Sequence, residues 1–162
     1  MEEVYIYTFR ELAVQEMCRS GIPASIILAQ AIVESEFGTS DLALKSNNHF
    51  GIKCNDEWSK EVVYHYDDDH NSQGVLIPSC FRKYPAIYDS FIDHTNFLLH
   101  RKYYKSLFRY PRTDYKHWAH GLEAAGYATD PLYGELLIET IEEYRLFYYD
   151  FLRPDQVAGF RF

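Results

Sequence analysis

Residues 23–38 read PASIILAQAIVESEFG, and this stretch decides the fold. At 100° per residue, Ile26, Ile27, Leu28, Ala29, Ala31, Ile32 and Val33 leave almost no polar face, and a helix apolar all round is the buried, central one. Pro23 suits a first-turn position and Gly38 a terminator, so a helix is predicted between them. Two glutamates near its end, Glu34 and Glu36, break the pattern, because an ionised carboxylate is costly to bury without a partner. Desolvation disfavours the charged form, raises the pKa and leaves a proton available near neutral pH, which is what a general acid requires. The ordinary alternative is a structural glutamate paired with an arginine, a lysine or a tyrosine hydroxyl. The wheel puts Glu34 between Gln30 and Ile27 and Glu36 between Ile32 and Ala29, and spacing alone does not choose between them.

Working outward, VYIYTFRELAVQEMCRSG has helical spacing and stops at Gly21, and TSDLALKS reads as a short third helix capped by Thr39 or Ser40. After Asn47 the pattern changes. FGIKC, KEVVYHY and QGVLIPSCFRKY are short, β-branched or aromatic, and predict a small antiparallel sheet of two or three strands within residues 50–84. Helical periodicity returns in IYDSFIDHTNFLLH, KHWAHGLEAAG and GELLIETIEEYRLFYYDFL. The expected fold is α+β: a single domain over residues 1–153, mainly helical, with a small β lobe, a cleft between the lobes, and a patternless tail over residues 154–162.

At 162 residues the chain is long enough for one real core. Fifteen tyrosines and eleven phenylalanines exceed what that core needs, and rigid rings with a polar tip suit a sugar chain, although packing accounts for most of them. A net charge of −8, with only short mixed runs such as HRKYYK, argues against nucleic acid and against an anionic membrane surface. No stretch approaches the roughly 20 apolar residues of a membrane span. MEEVYIYTFREL does not read as a signal peptide, so a leader is expected to have been removed or replaced if the protein is exported. Of three cysteines, Cys54 and Cys80 bracket one segment whose closure by a disulfide would be worth roughly 3–4 kcal/mol, and Cys18 is expected to be a buried free thiol.

Two further stretches hold candidate groups. In YHYDDDHN, Asp67, Asp68 and Asp69 on a strand or turn would point to alternate sides, so one or two could face the cleft opposite a glutamic acid. A cation site formed by Asp67 and Asp69 with His65 and His70 is a competing reading, although the spacing matches no EF-hand or HExxH pattern, and an exposed acidic turn is the simplest one. In EAAGYATDPLYGELL, Tyr127 and Tyr133 sit on a short connection from which phenols reach a neighbouring cleft or pack in the core. His94, His100, His117 and His120 read as surface or packing residues, and neither a metal nor another cofactor is expected.

GIPASIILAQAIVESEFGTSDLA, SNNHFGIK, FRKYPAIYDSFIDHTNFL and AAGYATDPLYGELL, in this order, resemble glycoside hydrolase family 73, the peptidoglycan endo-β-N-acetylglucosaminidases. The resemblance implies a lysozyme-like fold whose cleft takes a glycan strand, and cleavage of the β-1,4 bond between N-acetylglucosamine and N-acetylmuramic acid. It also implies an exported protein, expected to act as a monomer. It singles out Glu34 as the catalytic acid, leaves Glu36 without a catalytic role, and matches Tyr127 to a tyrosine lining the site. Asn48, Phe50, Tyr133, Asp67 and Asp69 are then expected at the substrate. Many members carry a second glutamate in the β lobe; here Asp68 lies nearest that position, within a residue or two. A lytic transglycosylase of the same fold and a glycan-binding domain that does not cut are the alternatives.

Overall fold

The computed structural model describes residues 1–160 of the chain. Helices α1 (Glu2–Ser20), α2 (Ala24–Ser35) and α3 (Asp41–Ser46) lead into a hairpin of β1 (Val62–His70) and β2 (Leu76–Arg82). Helix α4 (Ile87–His100), a 3-10 helix (Lys102–Arg109), α5 (Tyr115–Ala124), α6 (Tyr133–Glu143), a second 3-10 helix (Leu146–Phe151) and the single turn α7 (Pro154–Val157) follow. As its composition requires, α2 is the axis: Ala24 to Leu28 are buried without a gap, and α1, α5, α6 and the second 3-10 helix pack round it. Its first N–H groups, which no intrahelical carbonyl can satisfy, need an outside acceptor. Asp150 provides it, accepting from the Ser25 backbone N–H at 2.8 Å and from its hydroxyl at 2.6 Å.

The sheet has two strands, the smaller of the two expected numbers. FGIKC contributes a single bridge, Lys53 to Phe81, because Asn48 ties its first residues into a loop and Gly51 turns the backbone at φ 62°. Strands β1 and β2 pair antiparallel from Val62–Arg82 to Tyr66–Pro78, and the register then shifts before His70–Leu76. Pro78 has no N–H to give to the ladder, which explains why pairing lapses there. Asp67, Asp68 and Asp69 occupy the bulged stretch. Cys54 and Cys80 form a disulfide at the base of the lobe, where Cys54 N–H also donates to Cys80 O at 2.9 Å.

Three sequence expectations need correcting. The last long helix is interrupted: α6 stops at Glu143, Arg145 adopts φ 54°, and the chain restarts as the 3-10 helix that delivers Leu146, Tyr149 and Asp150 to α2. Residues 154–160 are no loose tail, since Val157 is buried and Arg10 donates to Phe160 O at 3.1 Å, while 161 and 162 lie outside the described residues. Cys18 is exposed, one step round α1 from the buried Met17.

Removing the outside cap of α2 leaves a buried N–H and a buried hydroxyl unpaired. Asp150→Ala is therefore expected to cost about 2 kcal/mol in urea unfolding, and Ser25→Ala less, because the backbone bond survives.

Candidate active site

Helix α2 does not run to Gly38. Ser35 is its last residue, its hydroxyl donating to Ala31 O and accepting from Gly38 N–H. Glu36, Phe37 and Gly38 then follow one another in the left-handed region at φ 52°, 56° and 76°. This abrupt end separates the two glutamates. Glu36 swings out and is exposed, whereas Glu34 stays on the last turn, partly buried, with its carboxyl group at the cleft. Glycine is favoured opposite it: a Cβ on Gly51 would lie 3.3 Å from Glu34 Oε2, in a backbone conformation that side chains rarely adopt. Burial pushes the Glu34 carboxyl up to about pKa 7; the hydrogen bond with Tyr133 works against that rise, and the negative Asp67 adds to it.

Two adjoining cavities, of about 580 and 500 Å³, meet at this carboxyl group and share Glu34, Gly51 and Asp67. The larger reaches Tyr103, Tyr104 and Tyr127; the smaller runs past His65 and Tyr66 towards Asp41. Of the three aspartates, Asp67 faces both cavities. Lys53, on the loop bridged to β2, binds the run, 2.5 Å from Asp68, 3.4 Å from Asp69 and 3.5 Å from Asp67. Asp68, with the nearest contact to this cation, is held below the ordinary carboxylate range. Asp67 is pushed upward, by burial first and by Asp68 next. The carboxylate best placed opposite Glu34 is thus Asp67, one residue before the expected Asp68.

The other expected residues divide into cleft wall and support. Tyr127 lines the larger cavity, its hydroxyl 3.4 Å from Phe50 O and its ring stacked on Tyr133 with centroids 5.6 Å apart. Phe50 borders the cavity but is 1% exposed, stacked on His94 at 3.9 Å. Asn48 does not reach the cleft surface: its amide donates to Ile52 O and Arg82 O and accepts from two N–H groups, so it holds the loop. Tyr133 is equally hidden and touches Glu34 from behind. Sequence reasoning missed Lys53, Tyr103 and Tyr104. Lys53 lay in an expected strand, and the two tyrosines in a run read only for its charge. Among the described residues no group of three or more His, Cys, Asp and Glu is placed to hold a metal ion.

Residues 10–146 match the glucosaminidase family, described as mannosyl-glycoprotein endo-beta-N-acetylglucosaminidase. The chain is 36% identical over 135 residues to the exo-glucosaminidase LytG of Bacillus subtilis (strain 168), across 80% of this chain and 47% of that protein. It is 29% identical over 141 residues to the peptidoglycan hydrolase FlgJ of Vibrio parahaemolyticus, across 85% and 46%. It therefore spans about half the length of these relatives. The catalytic domain of the autolysin Auto from Listeria monocytogenes superposes with a TM-score of 0.78 at 28% identity, covering 91% of this chain and 86% of that one.

A carboxyl group whose folded pKa is raised stabilises the fold fully only below its unfolded value, and that contribution is lost as pH rises through the folded value. For Glu34 the window runs from about 4.5 to about 7. Glu34→Gln is expected to match the wild type in urea unfolding at pH 4 and to be the more stable protein at pH 8, by on the order of 2 kcal/mol.

Proposed function

The chain belongs to the glucosaminidase family of glycoside hydrolases, and from that premise we propose that it hydrolyses peptidoglycan, cleaving the β-1,4 bond between N-acetylglucosamine and N-acetylmuramic acid with Glu34 as general acid. The observation that carries the reading is the place of Glu34: a carboxyl group that keeps its proton to about pH 7, at the waist between two cavities, with Asp67 alongside. A glycan strand laid through both cavities presents a bond, rather than a chain end, to that proton. This favours endo-cleavage over the exo action in the name of the Bacillus relative.

In the reaction Glu34 donates its proton to the glycosidic oxygen as the bond from that oxygen to the sugar C1 breaks. Positive charge gathers on C1 and the ring oxygen, and the Asp67 carboxylate stabilises it. Water supplies hydroxide to C1, and its proton passes to a carboxylate. Tyr127, on the wall of the larger cavity, orients the acetamido group or the water. Lys53 holds Asp68 and Asp69, limiting the negative charge that faces the developing cation. Export belongs to the same proposal: the substrate lies outside the cytoplasm, and the Cys54–Cys80 disulfide suits an oxidising compartment.

Glu34→Gln is expected to lower lysis of purified cell walls by at least roughly a hundredfold without loss of fold, and Asp67→Asn to cost more than Asp68→Asn. Mass spectrometry of the wild-type products should find reducing-end N-acetylglucosamine. Products ending in 1,6-anhydro-N-acetylmuramic acid would identify a transglycosylase instead, and tight binding without cleavage would identify a glycan-binding domain.

A further inference from the structure

Residues 101–116, RKYYKSLFRYPRTDYK, hold six of the chain's sixteen lysines and arginines and one of its twenty-four acids. That acid, Asp114, is engaged at the start of α5, where it accepts from the His117 N–H and meets the His117 ring. Among the described residues none of the six cations is in an ion pair. Outside this segment the chain has ten cations against twenty-three acids. The segment is a basic island on an acidic protein.

The fold sets the island on the lip of the larger cavity. A 3-10 helix repeats every three residues, so the side chains of Lys102–Arg109 fall in three rows. One row, Tyr104 and Leu107, is buried. The row of Lys102 and Lys105 and the row of Tyr103, Ser106 and Arg109 face outward. Tyr103 and Tyr104 line the cavity, and so does Phe97, whose ring has the Arg101 guanidinium 4.6 Å from its centroid. Arg101, Lys102 and Lys105 thus stand beside the cavity wall with their charge unneutralised. The smaller cavity has the opposite sign, being lined by Glu36, Asp41 and Asp67.

In a peptidoglycan strand every second sugar bears a short peptide, and these stems carry carboxylates. Such groups are mobile, and a lysine suits them: it is a compact charge on a flexible stem, without the fixed docking geometry of the arginine fork. Once the sugars occupy the larger cavity, the tether holds the carboxylates near its lip at high effective concentration. A long free polyanion gains less, because beyond the island it meets an acidic surface. We propose that Arg101, Lys102 and Lys105 form a subsite for the carboxylates of the peptide stems on the strand whose sugars fill the larger cavity. The subsite binds substrate and touches none of the reacting atoms. The proposal rests on peptidoglycan being the substrate.

The test is KM on soluble, uncross-linked strands freed of phosphodiester polymers by hydrofluoric acid. Their stem carboxylates are left free or converted to amides with carbodiimide and ammonia. On free carboxylates at low salt, the double variant Lys102→Gln, Lys105→Gln is expected to raise KM roughly fivefold with kcat unchanged. The gap should close in about 1 M salt, where screening is strong. It should also close on amidated strands, where wild type and variant share the higher KM. Equal KM values on free carboxylates overturn the proposal. A gap that persists on amidated strands does so too, since the lysines would then be contacting sugar. A gap seen only on walls that retain phosphodiester polymers assigns the island to phosphate and removes the stem subsite. Lys60→Gln with Lys83→Gln takes the same charge from a separate cavity and should leave KM unmoved. An equal rise there reduces the effect to net charge and sinks the idea. Wild type that releases no reducing ends from any strand removes the substrate assignment itself, whereas wild type that cuts free and amidated strands with one KM removes only the subsite.

Discussion

A helix enclosed on every side has nowhere to leave a charge except at its ends, and the rest of this molecule is arranged around that restriction on α2. Each end meets a carboxyl group. At the start Asp150 is sealed in and spends both oxygens on Ser25; at the finish Glu34 has one neighbour behind it and a cleft in front. Burial raises both groups to about pKa 7. The shift alone would not tell them apart. Geometry does, since the first carboxyl closes a backbone gap and the second opens onto two cavities.

The β lobe supplies the opposing wall by a different economy of parts. Its hairpin has one face turned to the cleft and another, bearing Val62 and Tyr64, left exposed, so it has little core of its own. A disulfide at its base compensates for that thin core, and Lys53, next to Cys54, is anchored where it can gather the three aspartates. Charge in the cleft thus depends on a covalent staple one residue away. With Asp68 and Asp69 drawn towards Lys53, Asp67 is the one that adds its charge to the Glu34 environment.

Much of this was legible beforehand. The apolar circle of α2, the stop at Gly21 and the hairpin in the middle of the chain follow from pattern and spacing, whereas the Cys54–Cys80 bridge was one of two readings that spacing left open. The misses share a cause: they depend on backbone conformations that residue type does not announce. Nothing about Glu36 or Phe37 signals a left-handed turn, yet that turn is what exposes Glu36. The helical wheel assumed regularity up to Gly38 and so put both glutamates in the core. Pro78 was a readable warning of the bulge, but which aspartate the bulge would aim inward depends on where Lys53 sits. His94 was read only as a surface or packing residue; its hydrogen bond to Gln30, 64 positions away, becomes visible only when α2 and α4 are side by side.

Asp150 also bears on where this domain can be said to end. The family match stops at residue 146, four positions before the side chain that closes the start of the central helix, 125 residues away in the chain. A polypeptide cut at the edge of the matched region would keep the glutamate, the cleft and the hairpin, and would still lose the cap on the helix that holds them. The same holds during synthesis: the exposed first turn of α2 waits for a segment made 125 residues later. For this chain the working boundary is set by a hydrogen bond rather than by sequence similarity, and it lies beyond Asp150.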